Sequence, residues 1–194
     1  QLPQFFPTPA TEAENVVIQV KVGAEWPMFA LATNVIPDLL PQGGSQCFPF
    51  YTYAEDGTGR RENITDWALE RFRAAYGDES ISKWDIFHSV YGLLHHPVYC
   101  ARYAENLKRE LPRLPLVEGI AAFRACATMG EQLLRLHVGY ESAAEYPLEV
   151  KETPETDGRV SFRVEKLRLT PDKSAVVVNP TLTLAGIPQE AFNY

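Results

Sequence analysis

The spacing of the hydrophobic residues changes twice along the chain, and this change limits the possible folds more than any other feature. Apolar residues occupy every second position from Val16 to Val22, which is the pattern of a half-buried strand. Further strands are predicted over 28–36 and 46–53, where Pro49 indicates a sheet edge. The first part of the chain, residues 1–62, is therefore predicted to be mainly β.

Helical spacing replaces this alternation over residues 63–140. Ser82 and Asp85 have the spacing of a capping box, and Gly77 suits the end of a helix. About four helices are predicted, over 65–76, 82–95, 97–110 and 118–137.

Alternation returns after a predicted polar loop over 149–158. Strands are predicted over 160–164 and 167–169 and on both sides of Pro180, so that residues 158–194 are mainly β. Strands at both ends with helices between them, and no βαβ alternation, indicate an α+β fold. A length of 194 residues suits a single module, and the last residues read like the start of another element, so a fragment of a longer chain is expected.

The overall composition argues against strong phosphate binding, a disulfide framework, a zinc site and a membrane segment. The net charge of −7 argues against strong non-specific binding to phosphates. The three cysteines are far apart and odd in number, which favours neither a disulfide framework nor a zinc site. No apolar run is long enough to cross a membrane, and no basic and apolar leader begins the chain. A cytoplasmic location and no membrane partner are expected.

Three polar residues in the second predicted helix allow a metal-dependent hydrolase as a minority interpretation. Asp85, His88 and His95 could share one helical face, but no further ligand and no H-E-x-x-H motif accompanies them. The preferred interpretation is that Asp85 caps the helix, that the histidines pack or face solvent, and that His96 caps the helix after it. No metal site is therefore predicted.

Other catalytic signatures are absent from the sequence. Neither a G-x-S-x-G elbow nor a glycine-rich phosphate loop occurs, and Cys100 and Cys126 lie within apolar helical patterns. Asn179-Pro-Thr lacks the second proline and the aromatic residue of an amino-methyltransferase loop. No catalytic residue is predicted.

Basic residues at loops and helix ends are the candidates for contacts to a nucleic acid, because a local cluster of charge matters more than the net charge. Those on loops or helix starts are expected to share a concave face, and they are Arg60, Arg61, Lys83 and Arg113. Arg102 and Arg109 complete the set of candidate DNA-binding residues.

A family resemblance is carried by HSVYGLLHHPVYCARYAENLKRELPRLPL at residues 88–116. It extends to QCFPFYTY at 46–53, to NITD at 63–66 and to LTLAGIPQEAF at 182–192. These segments resemble the C-terminal specificity domain of type ISP restriction-modification enzymes. One departure is Cys100, where the family commonly has arginine, which removes a positive charge from that helix.

The resemblance implies sequence-specific recognition of double-stranded DNA. In such enzymes a nuclease, a helicase-like motor and an adenine-N6 methyltransferase precede this domain in the same polypeptide. S-adenosylmethionine, ATP and magnesium are thus implied for the parent enzyme, and no cofactor is expected here. An alternative of another class is a scaffold that docks the methyltransferase core while other parts read DNA.

Overall fold

The computed structural model describes residues 4–23, 27–38 and 45–192, and it has the predicted α+β class, with strands towards both ends and helices in the middle. Packing divides the chain into two compact units, Gln1–Ala143 (unit 1) and Ala144–Tyr194 (unit 2). That the two together act as a single recognition module stays a prediction. Among the described residues, no helix combines the length and apolar character needed to span a membrane.

Unit 1 begins with a short helix that was not predicted, α1, followed by a three-stranded antiparallel sheet. The helix is capped by Thr8, whose hydroxyl accepts a hydrogen bond from the Thr11 amide. The sheet has the order β2-β1-β3, so that the strand containing Pro49 lies at an edge, as predicted. The elements are α1 (Pro9–Glu14), β1 (Val17–Lys21), β2 (Phe29–Thr33) and β3 (Gln46–Pro49).

The first predicted strand is confirmed as β1, but it is buried along its whole length and is not half-buried as the alternation predicts. It is the central strand, and Ile18 and Val20 contribute to the main hydrophobic cluster of unit 1. Gln19 is buried as well, because its side-chain amide donates hydrogen bonds to the Asp38 carbonyl and, at 2.8 Å, to the Ser45 hydroxyl. A polar side chain that is satisfied in this way can lie inside the protein.

In the described part of unit 1, a two-stranded hairpin, five further α-helices and a short 3₁₀ helix (Tyr140–Ser142) follow. The hairpin strands and α-helices are β4 (Tyr51–Thr52), β5 (Arg61–Glu62), α2 (Asp66–Tyr76), α3 (Lys83–Leu94), α4 (Pro97–Arg102), α5 (Ala104–Leu107) and α6 (Ile120–Val138). The caps confirm two predictions: Gly77 ends α2 in the left-handed conformation, and Ser82 and Asp85 form a capping box at the start of α3.

The single helix predicted over 97–110 is wrong. Tyr103 leaves the helical conformation at φ −106° and ψ 13°, which separates α4 from α5.

Helices α3 and α6 approach each other at two glycines. A Cβ atom on Gly130 would lie 1.9 Å from the His88 carbonyl oxygen, and one on Gly92 would lie 2.4 Å from the Cys126 carbonyl oxygen. These distances are far below van der Waals contact, so the crossing depends on the absence of both side chains. Beside the crossing, the fully buried Phe50 ring stacks on Trp84 with 3.6 Å between ring centroids.

Unit 2 contains a four-stranded antiparallel sheet with the order β6-β9-β8-β7. Its strands are β6 (Glu149–Glu152), β7 (Arg168–Leu169), β8 (Ala175–Asn179) and β9 (Leu182–Ala185). The strands on both sides of Pro180 are confirmed. The predicted loop over 149–158 is wrong in its first part, because β6 pairs with β9 although its four residues are exposed.

The predicted strand over 160–164 is not formed. Its backbone is bonded mainly by two side chains instead of by a neighbouring strand: Asn179, the last residue of β8, and Thr181, between β8 and β9. The Asn179 amide donates to the carbonyls of Ser161 and Arg163 at 2.7 and 2.9 Å. The Thr181 hydroxyl accepts from the Ser161 amide at 2.9 Å. Side-chain hydrogen bonds thus replace a strand ladder here.

Candidate nucleic-acid interface

Three of the candidate basic residues lie close together around β5. Arg60 precedes the strand, and its guanidinium group forms an ion pair of 2.8 Å with Glu14 while lying 4.8 Å from the centre of the Tyr51 ring. The Glu14 carboxylate raises the pKa of Arg60. Arg61 is exposed and has no ion pair within the described residues.

Lys83, the first residue of α3, is held more firmly than any other candidate. Its ammonium group lies 2.6 Å from an Asp66 oxygen and 3.2 Å from a Glu62 oxygen, and its side chain is only 13% exposed. Hydrogen bonds to these carboxylates raise the pKa of Lys83. Lys83 therefore links β5, α2 and α3, and its charge is largely neutralised inside the unit.

The other three candidates lie on or beyond α4. Arg102 ends that helix with its guanidinium carbon 5.8 Å from the centre of the Tyr103 ring. Arg109 is exposed and makes no ion pair in the described ranges. Arg113 is 86% exposed and pairs with Glu110 at 2.9 Å. Arg102, Arg109 and Arg113 thus present charge to solvent without being buried by the fold.

An apolar cavity of about 280 Å³ is lined by residues close in sequence to both groups of candidates, those around β5 and those beyond α4. Asn63 and Ile64, which follow β5, line it together with Pro112 and Leu114, which flank Arg113. Its lining contains no ionisable side chain, so it offers no acid or base to a bound molecule. That Arg60, Arg61, Lys83 and Arg113 share one concave face stays a prediction.

Unit 2 exposes three cations that are not among the candidates predicted from the sequence, namely Arg163, Lys166 and Arg168. Arg163 and Arg168 fall within the predicted strands over 160–164 and 167–169, and Lys166 falls between them. All residues from 161 to 169 are exposed, including Phe162, whose surface is 69% accessible. The sequence signal that could have found them is a run of three basic residues with one acidic residue, Glu165.

The three residues of the hypothetical metal site have separate structural roles. Asp85 accepts hydrogen bonds from the Ser82 amide and hydroxyl, both at 2.7 Å, and pairs with Arg124 at 3.2 Å, which confirms its predicted capping role. Hydrogen bonds from Ser82 and the charge of Arg124 hold the pKa of Asp85 below its usual value, against the opposing effect of burial. The His88 ring packs on Trp84.

His95, the third of these residues, lies against Tyr91 and His137. Burial, together with the nearby His137 ring, lowers its pKa to about 4. His137 also contacts the Tyr91 hydroxyl through Nδ1. His96 occupies the N-cap position of α4 as predicted, but its side chain makes no capping hydrogen bond.

The geometry gives no support to metal or thiol chemistry. Across residues 4–23, 27–38 and 45–192, no three His, Cys, Asp or Glu side chains are grouped as metal ligands. Burial raises the pKa of all three thiols, Cys47, Cys100 and Cys126, which is the opposite of what a nucleophilic cysteine requires.

Comparison with known proteins gives one consistent result. The family model described as the type ISP C-terminal specificity domain matches residues 1–194. A cryo-EM structure of a DrdV–DNA complex is similar over 100% of this chain and 20% of that chain, with a TM-score of 0.83 and 39% identity. No curated protein matches the chain.

Two further solved structures are similar to the chain. A nuclease-deletion mutant of the type ISP restriction-modification enzyme LlaGI, in complex with a DNA substrate mimic, covers 98% of this chain and 16% of its own, with a TM-score of 0.71 and 28% identity. The ATP-dependent type ISP restriction-modification enzyme LlaBIII bound to DNA covers 93% and 12%, with a TM-score of 0.74 and 26% identity. The present chain thus spans a fifth or less of the solved chains that it matches.

Proposed function

Because the chain belongs to the type ISP C-terminal specificity domain family, we propose that it selects the DNA target of a multifunctional restriction-modification enzyme. One observation carries this proposal: the whole chain superimposes, at 39% identity, on part of a protein whose structure is a complex with DNA. A domain that sets specificity acts through contacts to base edges and to the phosphate backbone.

The exposed cations of unit 1 are suited to such contacts in unequal degree. Arg61 and Arg109 make no ion pair in the described part of the chain, and the guanidinium group of Arg102 lies near an aromatic ring, that of Tyr103. Arg60 and Arg113 each have one exposed carboxylate partner, which phosphate oxygens can replace at small cost because exposed ion pairs are weak. Lys83 is expected to fix β5 against the helices.

We further infer that the chain has no catalytic activity of its own and needs no cofactor. The candidate acid and histidine side chains are used for capping and packing, and the thiols have raised pKa values. S-adenosylmethionine, ATP and magnesium would serve other parts of the parent enzyme. The small share of the solved chains that is covered supports further parts in the same polypeptide. We propose that one of them is a methyltransferase and that the target is double-stranded DNA in the cytoplasm.

The proposal is tested by selection of bound sequences from a pool of random DNA duplexes. The 194-residue chain is incubated with the pool at about 50 mM salt, the bound duplexes are sequenced, and the affinity for the enriched motif is measured across salt concentrations. We expect enrichment of one motif and at least about a thousandfold preference for it over unrelated duplex DNA.

The control is the same selection after heat denaturation of the protein. Binding with no enriched motif, or no binding even at about 50 mM salt, would contradict target recognition by this chain. The second result is also what a scaffold that only docks the methyltransferase core would give.

A further inference from the structure

Residues 161–169 (the 161–169 segment) expose more apolar surface than a solvated loop requires. Phe162, Val164 and Leu167 are each at least 60% exposed, and Leu169 is about half exposed. Basic side chains alternate with them at Arg163, Lys166 and Arg168. An exposed patch of large apolar residues beside like charges is typical of a binding surface.

The segment is held in place although it forms almost no strand. Asn179 and Thr181 are buried, and their side chains bond the backbone on both sides of Phe162. The Glu165 amide adds a backbone hydrogen bond to the Val178 carbonyl. Buried polar groups whose hydrogen bonds are satisfied in this way fix a geometry, so Phe162 and Arg163 lie on a pre-ordered backbone.

The cations of this segment differ from most cations of unit 1. Arg163, Lys166 and Arg168 form no ion pair within the described residues. In unit 1, by contrast, each of several exposed or partly exposed cations has its own carboxylate, namely Arg60, Arg73, Lys108, Arg113, Arg124 and Arg135. No carboxylate of the described residues therefore lies within ion-pair distance of these three cations.

This combination of residues fits duplex DNA better than it fits a protein surface. Three unpaired cations in nine residues, with Glu165 as the one acid among them, match a regular array of phosphates. An exposed phenylalanine has two established uses in DNA recognition: contact with the thymine methyl group in the major groove, and insertion between base steps from the minor groove.

We propose that the 161–169 segment contacts the DNA target, with Arg163, Lys166 and Arg168 on phosphate oxygens and Phe162 on base edges in a groove. This inference rests on the proposed function and adds to it a surface in unit 2. The Asn179 and Thr181 side chains are positioning residues, because they hold the backbone of the segment and are themselves buried.

The test compares two triple variants of the 194-residue chain that remove the same charge. R163A/K166A/R168A removes the unpaired cations, whereas R135A/K151A/R159A removes exposed cations that pair with Glu131, Glu149 and Asp157. We expect the first variant to bind the enriched duplex about a hundredfold more weakly at ~0.1 M salt, with a log–log salt slope shallower by about 2 to 3. The second variant should bind like the wild type.

Phe162→Ala separates base contact from phosphate contact. We expect it to weaken binding to the enriched motif by about tenfold or more, to leave binding to unrelated duplex unchanged, and to relax the preference at one position of the motif in a repeated selection. Tyr146→Ala, which removes a 60% exposed aromatic ring from the same unit, should change neither. Far-ultraviolet circular dichroism and thermal unfolding verify that each variant is folded.

The outcomes separate this inference from the function on which it rests. A wild-type chain that binds no duplex overturns the proposed function. If the wild-type chain binds its motif and both triple variants bind it as tightly as the wild type does, the role of the 161–169 segment alone is overturned. A surface that contacts a neighbouring protein domain would give this second result.

Discussion

Replacing Gly130 by alanine would place a methyl carbon into the closest contact between α3 and α6. The added carbon would lie 1.9 Å from the His88 carbonyl oxygen and 2.7 Å from the Gly92 nitrogen. Both are backbone atoms of a helix, so no side chain can rotate away. Since non-bonded atoms need about 3.5 Å, the helices must separate by roughly 1.5 Å.

The expected cost follows from that separation. Overpacking a core typically costs about 1–3 kcal/mol, and the rigid obstacle places this substitution at or above the upper end. Alanine regains about 1 kcal/mol because it favours the helical conformation more than glycine does. We therefore expect Gly130→Ala to lower the free energy of unfolding by about 2 kcal/mol or more, and Gly92→Ala to have a similar effect, since its added carbon meets the Cys126 carbonyl.

Urea titration followed by tryptophan fluorescence measures this effect in the correct unit. All three tryptophans of the sequence, Trp26, Trp67 and Trp84, belong to unit 1, so unfolding of unit 2 does not enter the signal. Met129→Ala is the matched control, because Met129 precedes Gly130 on the same helix and is 63% exposed. It should change stability by no more than about 0.5 kcal/mol. If Gly130→Ala proved more stable than the wild type, helix propensity would dominate and the close crossing would be refuted.

Two further predictions concern the core of unit 1. The pKa of His95 is about 4 in the folded chain and near 6.5 in the unfolded chain, so the neutral imidazole stabilises the fold above about pH 6.5, and this contribution is lost as the pH falls towards 4. His95→Gln should therefore flatten the fall in the urea midpoint over that window, and an unchanged slope would contradict the assignment. Phe50→Ala should cost about 3–5 kcal/mol and shift Trp84 emission to longer wavelength, whereas Phe50→Leu should cost less; an unaltered emission spectrum would show that the two rings are not stacked.

The parts of the fold that follow local rules could be predicted from the sequence. Ser82 and Gly77 mark helix ends through hydrogen bonds and backbone conformations that involve only residues close to them in the chain, so the sequence predicts them directly. The burial of Gln19 depends on partners 19 and 26 positions away and has no local signal. Strand β6 likewise depends on pairing with β9, since three of its four residues are charged and all four are exposed.

The candidate interface was predictable to a lesser degree, because the value of a surface cation depends on its neighbours in space. Lys83 is a candidate DNA contact from the sequence, but in the fold its ammonium group pairs with Glu62 and Asp66. Arg163 appeared to be part of a strand, but the Asn179 side chain holds it on an exposed segment. The sequence alone contains the charges, and the ion pairs that cancel some of them arise only from folding.

The side-chain amide of Gln19 also bears on how the edge strand β3 is positioned. It bonds to the carbonyl of Asp38 and to the hydroxyl of Ser45, the residue directly before β3. The point at which the chain enters β3 is therefore fixed by a buried side chain of the central strand as well as by the backbone hydrogen bonds of the sheet.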